Sequence, residues 1–94
     1  MFVLHIELKA KSGSQASLEK TFLDRFYAAV SAQGGFVGAQ LLRSNDNDSN
    51  YRLCLSFDQR ASQQKWVATD LHQEVWPLIA DQCENFSVTG YTAV

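Results

Sequence analysis

Proline is nearly absent from this 94-residue chain, which has one, and cysteine appears only twice. With one proline and five glycines there is no linker, repeat or low-complexity tract, and a chain of this length is one domain. Cys54 and Cys83 make no disulfide framework and fit no metal-ligand spacing, so free thiols in a soluble cytoplasmic protein are expected. Charge is sparse too: 8 basic residues face 10 acidic ones, intermixed, for a net charge of -2. Without a basic stripe, nucleic acid is not an expected partner. No apolar run approaches the roughly 20 residues of a membrane span. The N-terminal "MFVLHIELKA" has no early positive charge and alternates like a strand, which does not read as a signal peptide. No Gly-rich phosphate loop, paired-carboxylate motif or Ser-His-Asp pattern occurs, and the two histidines stand at unrelated positions, so no metal, flavin or haem is expected.

Hydrophobic residues, by contrast, make up 46% of the chain, a globular composition. About 60 to 65% of the unfolded surface of so short a chain is buried, so the core is thin. In "FVLHIELKA" the residues Phe2, Leu4, Ile6 and Leu8 share one face and Val3, His5, Glu7 and Lys9 the other, the period-two pattern of a strand. From Ser14 to Gln33 the apolar residues Leu18, Phe22, Phe26 and Val30 recur every four positions, which predicts an amphipathic helix stopped by Gly34-Gly35. "FVGAQLLRS" and "YRLCLSFD" read as a hairpin around the polar loop "NDNDSN". In the second of these, Tyr51, Leu53, Leu55 and Phe57 share a face. Asp58 reads as the N-cap of a helix over 59–68. Asp70, with Gln73 three residues on, reads as a second capping box after a break. The stripe Leu71, Val75, Leu78 and Ile79 is expected to be buried, with Pro77 causing a kink or a fresh first turn. "NFSVTGYTAV" closes as a strand.

The order strand, helix, strand, strand, helix, strand satisfies the right-handed crossover rule as one antiparallel sheet with both helices on one face, the ferredoxin-like α+β layout. The other face carries Val3, His5, Arg52, Cys54 and Tyr91, too mixed to stay bare. A second copy is the expected cover, burying on the order of 1,600 Å² or more.

This layout, with "GFVGAQLLRS" followed by "LSFDQRASQQKWVATDLHQEVWPLI", resembles the antibiotic biosynthesis monooxygenase (ABM) domain family over nearly the whole chain. The shared features are a glycine-aromatic start and leucine-arginine end of the second strand. An acid-capped helix with an alanine, here Ala61, and a following aromatic or histidine complete the match. The resemblance implies a homodimeric α+β barrel with a small pocket in each subunit between sheet and helices. Members include cofactor-free monooxygenases that oxidise phenolic polycycles to quinones. Others degrade haem, act as isomerases or have no known activity. The iron-ligating histidine of the haem degraders stands ten residues after the tryptophan, where this chain has Trp76. The first strand also lacks their asparagine. Both departures argue against haem degradation.

The stretch "KWVATDLHQEVW" holds both tryptophans. Trp66 matches a pocket indole in several members, although a large aromatic on a helix can equally pack onto the sheet. His72 falls where members place a histidine or tyrosine and could move a proton to or from a phenol, or could point at water. These two are the candidate catalytic residues, with Phe26, Phe57 and Trp76 as candidate substrate-binding walls. Leu71 and Val75 are expected to face the sheet, with His72 and Trp76 about 100° around the helix, at the edge of the stripe. His5 and Tyr91 are open between pocket and dimer interface, His5 favouring the interface. Cys54 reads as a structural thiol. The function expected is cofactor-independent oxygenation of a small aromatic or quinol. The alternative is a non-catalytic small-molecule-binding or stress-associated protein of the same fold.

Overall fold

A computed structural model describes all of residues 1–94. Its strands are β1 (Phe2–Ala10), β2 (Phe36–Arg43), β3 (Asn50–Phe57) and β4 (Cys83–Thr92). They form one antiparallel sheet in the order β2-β3-β1-β4. The connections from β1 to β2 and from β3 to β4 each skip the strand between them, so both are split β-α-β crossovers, and the helices all cover one face. This is the expected ferredoxin-like α+β fold.

The sheet's covered face is the one that the alternation selects. Leu4, Ile6 and Leu8 of β1 and Tyr51, Leu53, Leu55 and Phe57 of β3 are all buried. They are directly paired across the ladder, Leu4 with Leu55 and Ile6 with Leu53, so the central strands present one continuous apolar surface. His5, Glu7, Arg52 and Cys54 fall on the opposite face, where Arg52 is hydrogen-bonded to Glu7 and the His5 ring lies 4.9 Å from that of Tyr91.

The first helical stretch departs from a regular helix. It comprises α1 (Gln15–Thr21), a π-helical turn over Phe22–Phe26, and α2 (Tyr27–Ser31). A four-residue repeat overshoots an α-helix by about 40° per step, so Leu18, Phe22, Phe26 and Val30 would wind away from the sheet. The π-turn, whose signature is the Tyr27 N–H donating to Phe22 O, absorbs the extra residue. All four apolar side chains then reach the core, none more than 5% exposed.

The second crossover holds α3 (Arg60–Val67) and α4 (Asp70–Ala80), and several sequence expectations are corrected there. The N-cap of α3 is Gln59, not Asp58; the Asp58 N–H donates instead to Gly35 O, and its carboxylate accepts from the Ser62 hydroxyl. The N-cap of α4 is Thr69, not Asp70: its Oγ1 accepts from the His72 N–H at 3.1 Å, while Gln73 donates back to Val67 O. Pro77 does not restart the helix: α4 runs unbroken through it to Ala80. The hydrogen bond that Pro77 lacks would have ended on Gln73, and both residues are exposed, so water can take the freed carbonyl. Finally, Leu71 and Leu78 are 37% and 36% exposed, whereas Val75 and Ile79 are buried. The inward face of α4 is therefore His72, Val75, Trp76 and Ile79, at the i, i+3, i+4, i+7 spacing of one helical stripe. No helix is long and apolar enough to cross a membrane.

Candidate functional site

That stripe turns an imidazole and an indole toward the sheet, and space remains beneath them. A cavity of about 180 Å³ lies between α3, α4 and the β1–β4 side of the sheet. Leu4, Ile6, Leu55 and Val88 form its floor, and Gln63, Trp66, Val67, His72, Trp76, Phe26 and Phe86 its walls. Larger clefts exist at the surface, one of about 400 Å³ beside Met1 and Arg60, but only three of the eight residues lining that one are hydrophobic. The α3–α4 cavity has the most apolar lining, nine of eleven residues, with a few convergent polar groups, the usual character of a small-molecule site.

Its walls form a continuous chain of rings. The Phe26 centroid lies 6.0 Å from that of Trp66, Trp66 lies 5.1 Å from His72, His72 lies 6.4 Å from Trp76, and Trp76 lies 5.2 Å from Phe86. Most meet edge to face, the arrangement that ring quadrupoles prefer, while His72 and Trp76 stack at 15°. Each ring has a backbone reason to be there. The π-turn aims Phe26 inward, the Thr69 cap fixes the first turn of α4 that carries His72, and β4 pairing puts Phe86 opposite Leu8 on the covered face.

Three polar groups meet the cavity. Trp66 is 1% exposed, yet its Nε1–H makes no hydrogen bond within the chain, and no buried polar side-chain atom is left without a partner. Its N–H is thus unpaired within the chain, and its ring lines the cavity. His72 is half-buried, and burial lowers its pKa from the ordinary histidine value, so the imidazole is neutral near pH 7. Its Nδ1 lies 3.4 Å from the Gln73 amide. Gln63, the third, makes no side-chain hydrogen bond and stands one helical turn before Trp66. No charged side chain lines the cavity, and no three His, Cys, Asp or Glu side chains gather as a metal-ligating group anywhere in the chain.

The site thus brings together Trp66, His72, Phe26 and Trp76. It leaves out Phe57, which is fully buried on β3 with its ring 6.2 Å from Phe36, and His5, which lies on the opposite face of the sheet. Gln63 and Phe86 escaped the sequence reading, although the three-residue spacing from Gln63 to Trp66 places both on one helix face.

A family model described as antibiotic biosynthesis monooxygenase matches residues 1–76. The chain belongs to this family. Solved structures agree on the fold. SnoaB from Streptomyces nogalater, a cofactor-independent oxygenase solved in a point-mutant form, is similar with a TM-score of 0.90 at 21% identity, over 98% of this chain and 91% of that one. A Nitrosomonas europaea protein described as an antibiotic biosynthesis monooxygenase gives 0.85 at 15% identity, over 100% and 99% of the two chains. A Bordetella bronchiseptica protein of the same description gives 0.87 at 17%, over 99% and 97%. No curated protein matches the chain. Family and neighbours together support a monooxygenase-like function.

Proposed function

We propose that this ABM-family protein is a cofactor-independent monooxygenase that oxidises a small, neutral, electron-rich phenol or quinol in the α3–α4 cavity. The observation that carries this reading is the meeting of a neutral imidazole and a tryptophan with an unpaired N–H in one largely apolar, aromatic pocket. An apolar cavity of about 150 Å³ is enough for a benzene ring, so about 180 Å³ suits one substituted ring. The absence of a charged wall disfavours anionic substrates, whose desolvation would go uncompensated.

In this scheme a neutral ring nitrogen of His72 takes the phenolic proton. The phenolate passes one electron to dioxygen, giving a substrate radical and superoxide. Their recombination forms a C–O bond at a ring carbon that bears hydrogen. Loss of that hydrogen with cleavage of the O–O bond, and return of the proton from His72, releases water. One oxygen atom ends in the quinone and the other in water, so no external reductant is consumed. The Trp66 N–H and the Gln63 amide are donors for the developing negative charge, and the ring walls keep the radical pair dry. A second copy packed on the exposed sheet face, where Tyr91 is 50% exposed, completes the assembly we infer.

Oxygen uptake with a panel of hydroquinones and anthrones tests the reading. Stoichiometric uptake and quinone formation without added metal or flavin are expected, with one-ring substrates preferred. Binding of such phenols without uptake would instead favour a non-catalytic binding protein.

A further inference from the structure

A second cleft lies on the helix-covered side of the sheet, at the β2 edge, away from the aromatic cavity. It is an open cleft of about 360 Å³ bounded by Glu19, Phe22 and Leu23 of the first helical stretch, by Leu41 to Arg43 of β2, and by Asn45 and Tyr51. Its polar centre is a built network. The Tyr51 hydroxyl donates to Glu19 Oε2 at 2.6 Å, and Arg43 Nη1 donates to the same oxygen at 2.9 Å. Tyr51 is 2% exposed, so its hydroxyl anchors one carboxylate oxygen at the edge of the core, while the Glu19 side chain keeps 36% of its surface exposed. Burial and the neighbouring Glu19 push the Tyr51 pKa up to about 12, which keeps its hydroxyl a donor. The second carboxylate oxygen, Glu19 Oε1, and the Nη2 and Nε of Arg43 make no hydrogen bond within the chain. Beside them Leu23, 67% exposed, offers apolar surface that nothing in the fold uses.

We propose that this cleft is a second ligand site, taking a small neutral amphiphile with an aromatic or aliphatic body and an amide-type head. The head follows from the charges. Glu19 and Arg43 neutralise each other, so a charged ligand would bring an unbalanced charge against an apolar wall. A carboxamide donates to Glu19 Oε1 and accepts from Arg43, satisfying both free edges without adding charge. The body follows from the volume. About 150 Å³ serves one ring, so about 360 Å³ accepts two fused rings, which exceed the 180 Å³ of the aromatic cavity.

The test is a methyl- and indole-resolved NMR titration of the full chain with 2-naphthamide, beside 2-naphthoate and 2-naphthylmethylamine. Saturable shifts at the Leu23 and Leu41 methyls are expected with the amide, with the Trp66 indole signal unmoved and both charged analogues weaker. Glu19→Gln should weaken the amide about tenfold, because a charged acceptor becomes a neutral one. Leu23→Ser, at an exposed position that folding does not need, should weaken it as well. No saturable shift at Leu23 and Leu41, equal binding of the three probes, shifts that move only with Trp66, or unchanged affinity in both variants would overturn the proposal.

Discussion

The imidazole of His72 stands edge-on to the indole of Trp66, their ring centres 5.1 Å apart and their planes at 85°. The pair joins two helices across the break at Ala68 and Thr69, and it is the point where core packing and pocket chemistry meet. Trp66 is the core half of the pair, buried to 1%, and His72 the half-buried, cavity-facing half.

Replacing the imidazole should therefore affect turnover more than folding. His72→Gln keeps a hydrogen-bonding side chain of similar reach but removes the base, and a loss of about 100-fold or more in kcat is expected. Thermal unfolding should move little. Oxygen-uptake kinetics and a melting curve on the same preparation check both halves.

Protonation of His72 should abolish the proposed oxygenation, and the direction of its shift sets where. Burial lowers the His72 pKa below the ordinary value, so the neutral base persists to lower pH than a solvated histidine would. The acidic limb of kcat/KM should fall below pH about 6.5, and it should vanish in His72→Gln. The same depression bears on stability. As pH drops through this range the unfolded chain takes up the proton more readily, so His72 contributes stability above about pH 6.5 that is lost as pH falls through the lowered folded value. A limb centred above pH 7 would contradict the burial argument.

Trp66 should show the reverse balance of effects. Trp66→Ala deletes a buried indole and should cost about 3–5 kcal/mol, a large share of the stability of a small domain. Trp66→Phe keeps most of the packing but loses the N–H. Urea unfolding should rank alanine far below phenylalanine, while oxygen uptake should fall in the phenylalanine variant too.

Gly35 holds a backbone conformation that other residues rarely adopt, φ +80°, where the chain turns into β2. A Cβ placed there would stand 2.3 Å from Asp58 Oδ1 and 2.4 Å from Ser62 Oγ, at the start of α3. Gly35→Ala should destabilise the fold by about 1–3 kcal/mol through combined strain and collision, measured by urea unfolding. Gly34→Ala, with open space around its position, is the control and should change little.

The dimer inferred from the exposed sheet face has its own check. Tyr91→Glu places a charge on that face at a position 50% exposed in the single chain. Sedimentation should show the unmodified protein as a dimer and the variant shifted toward the monomer. A stable unmodified monomer of about 10.5 kDa at micromolar concentration would remove the interface.

Much of the architecture was legible in the chain because it follows from local periodicity. The alternation in β1 and β3 assigns every residue to a face, since a strand has only two. The element order with the crossover rule then leaves few sheets to choose from. The helix through Leu18, Phe22, Phe26 and Val30 is equally visible, but a strict four-residue period is met by the π-turn over Phe22–Phe26, which a plain amphipathic helix does not contain.

Other features depend on what lies opposite, which no local pattern records. Hydrophobicity favoured Leu71 and Leu78 as the inward face of α4, yet each keeps more than a third of its surface exposed, and His72 and Trp76 turn inward instead. The reason is complementarity. Trp66 on α3 offers an edge-on partner to His72, and Phe86 on β4 offers one to Trp76, ring-to-ring contacts that a leucine could not make. Likewise Asp58 had the chemistry of a cap, but Gly35 claimed its backbone, and Phe57, read as a pocket wall, is sealed into the core beside Phe36. Sequence by itself determined which residues could be buried and in what order the elements run, because those are properties of the chain. Only the tertiary structure decided which amphipathic rings face each other across a cavity, because that depends on surfaces brought together from α3, α4 and β4.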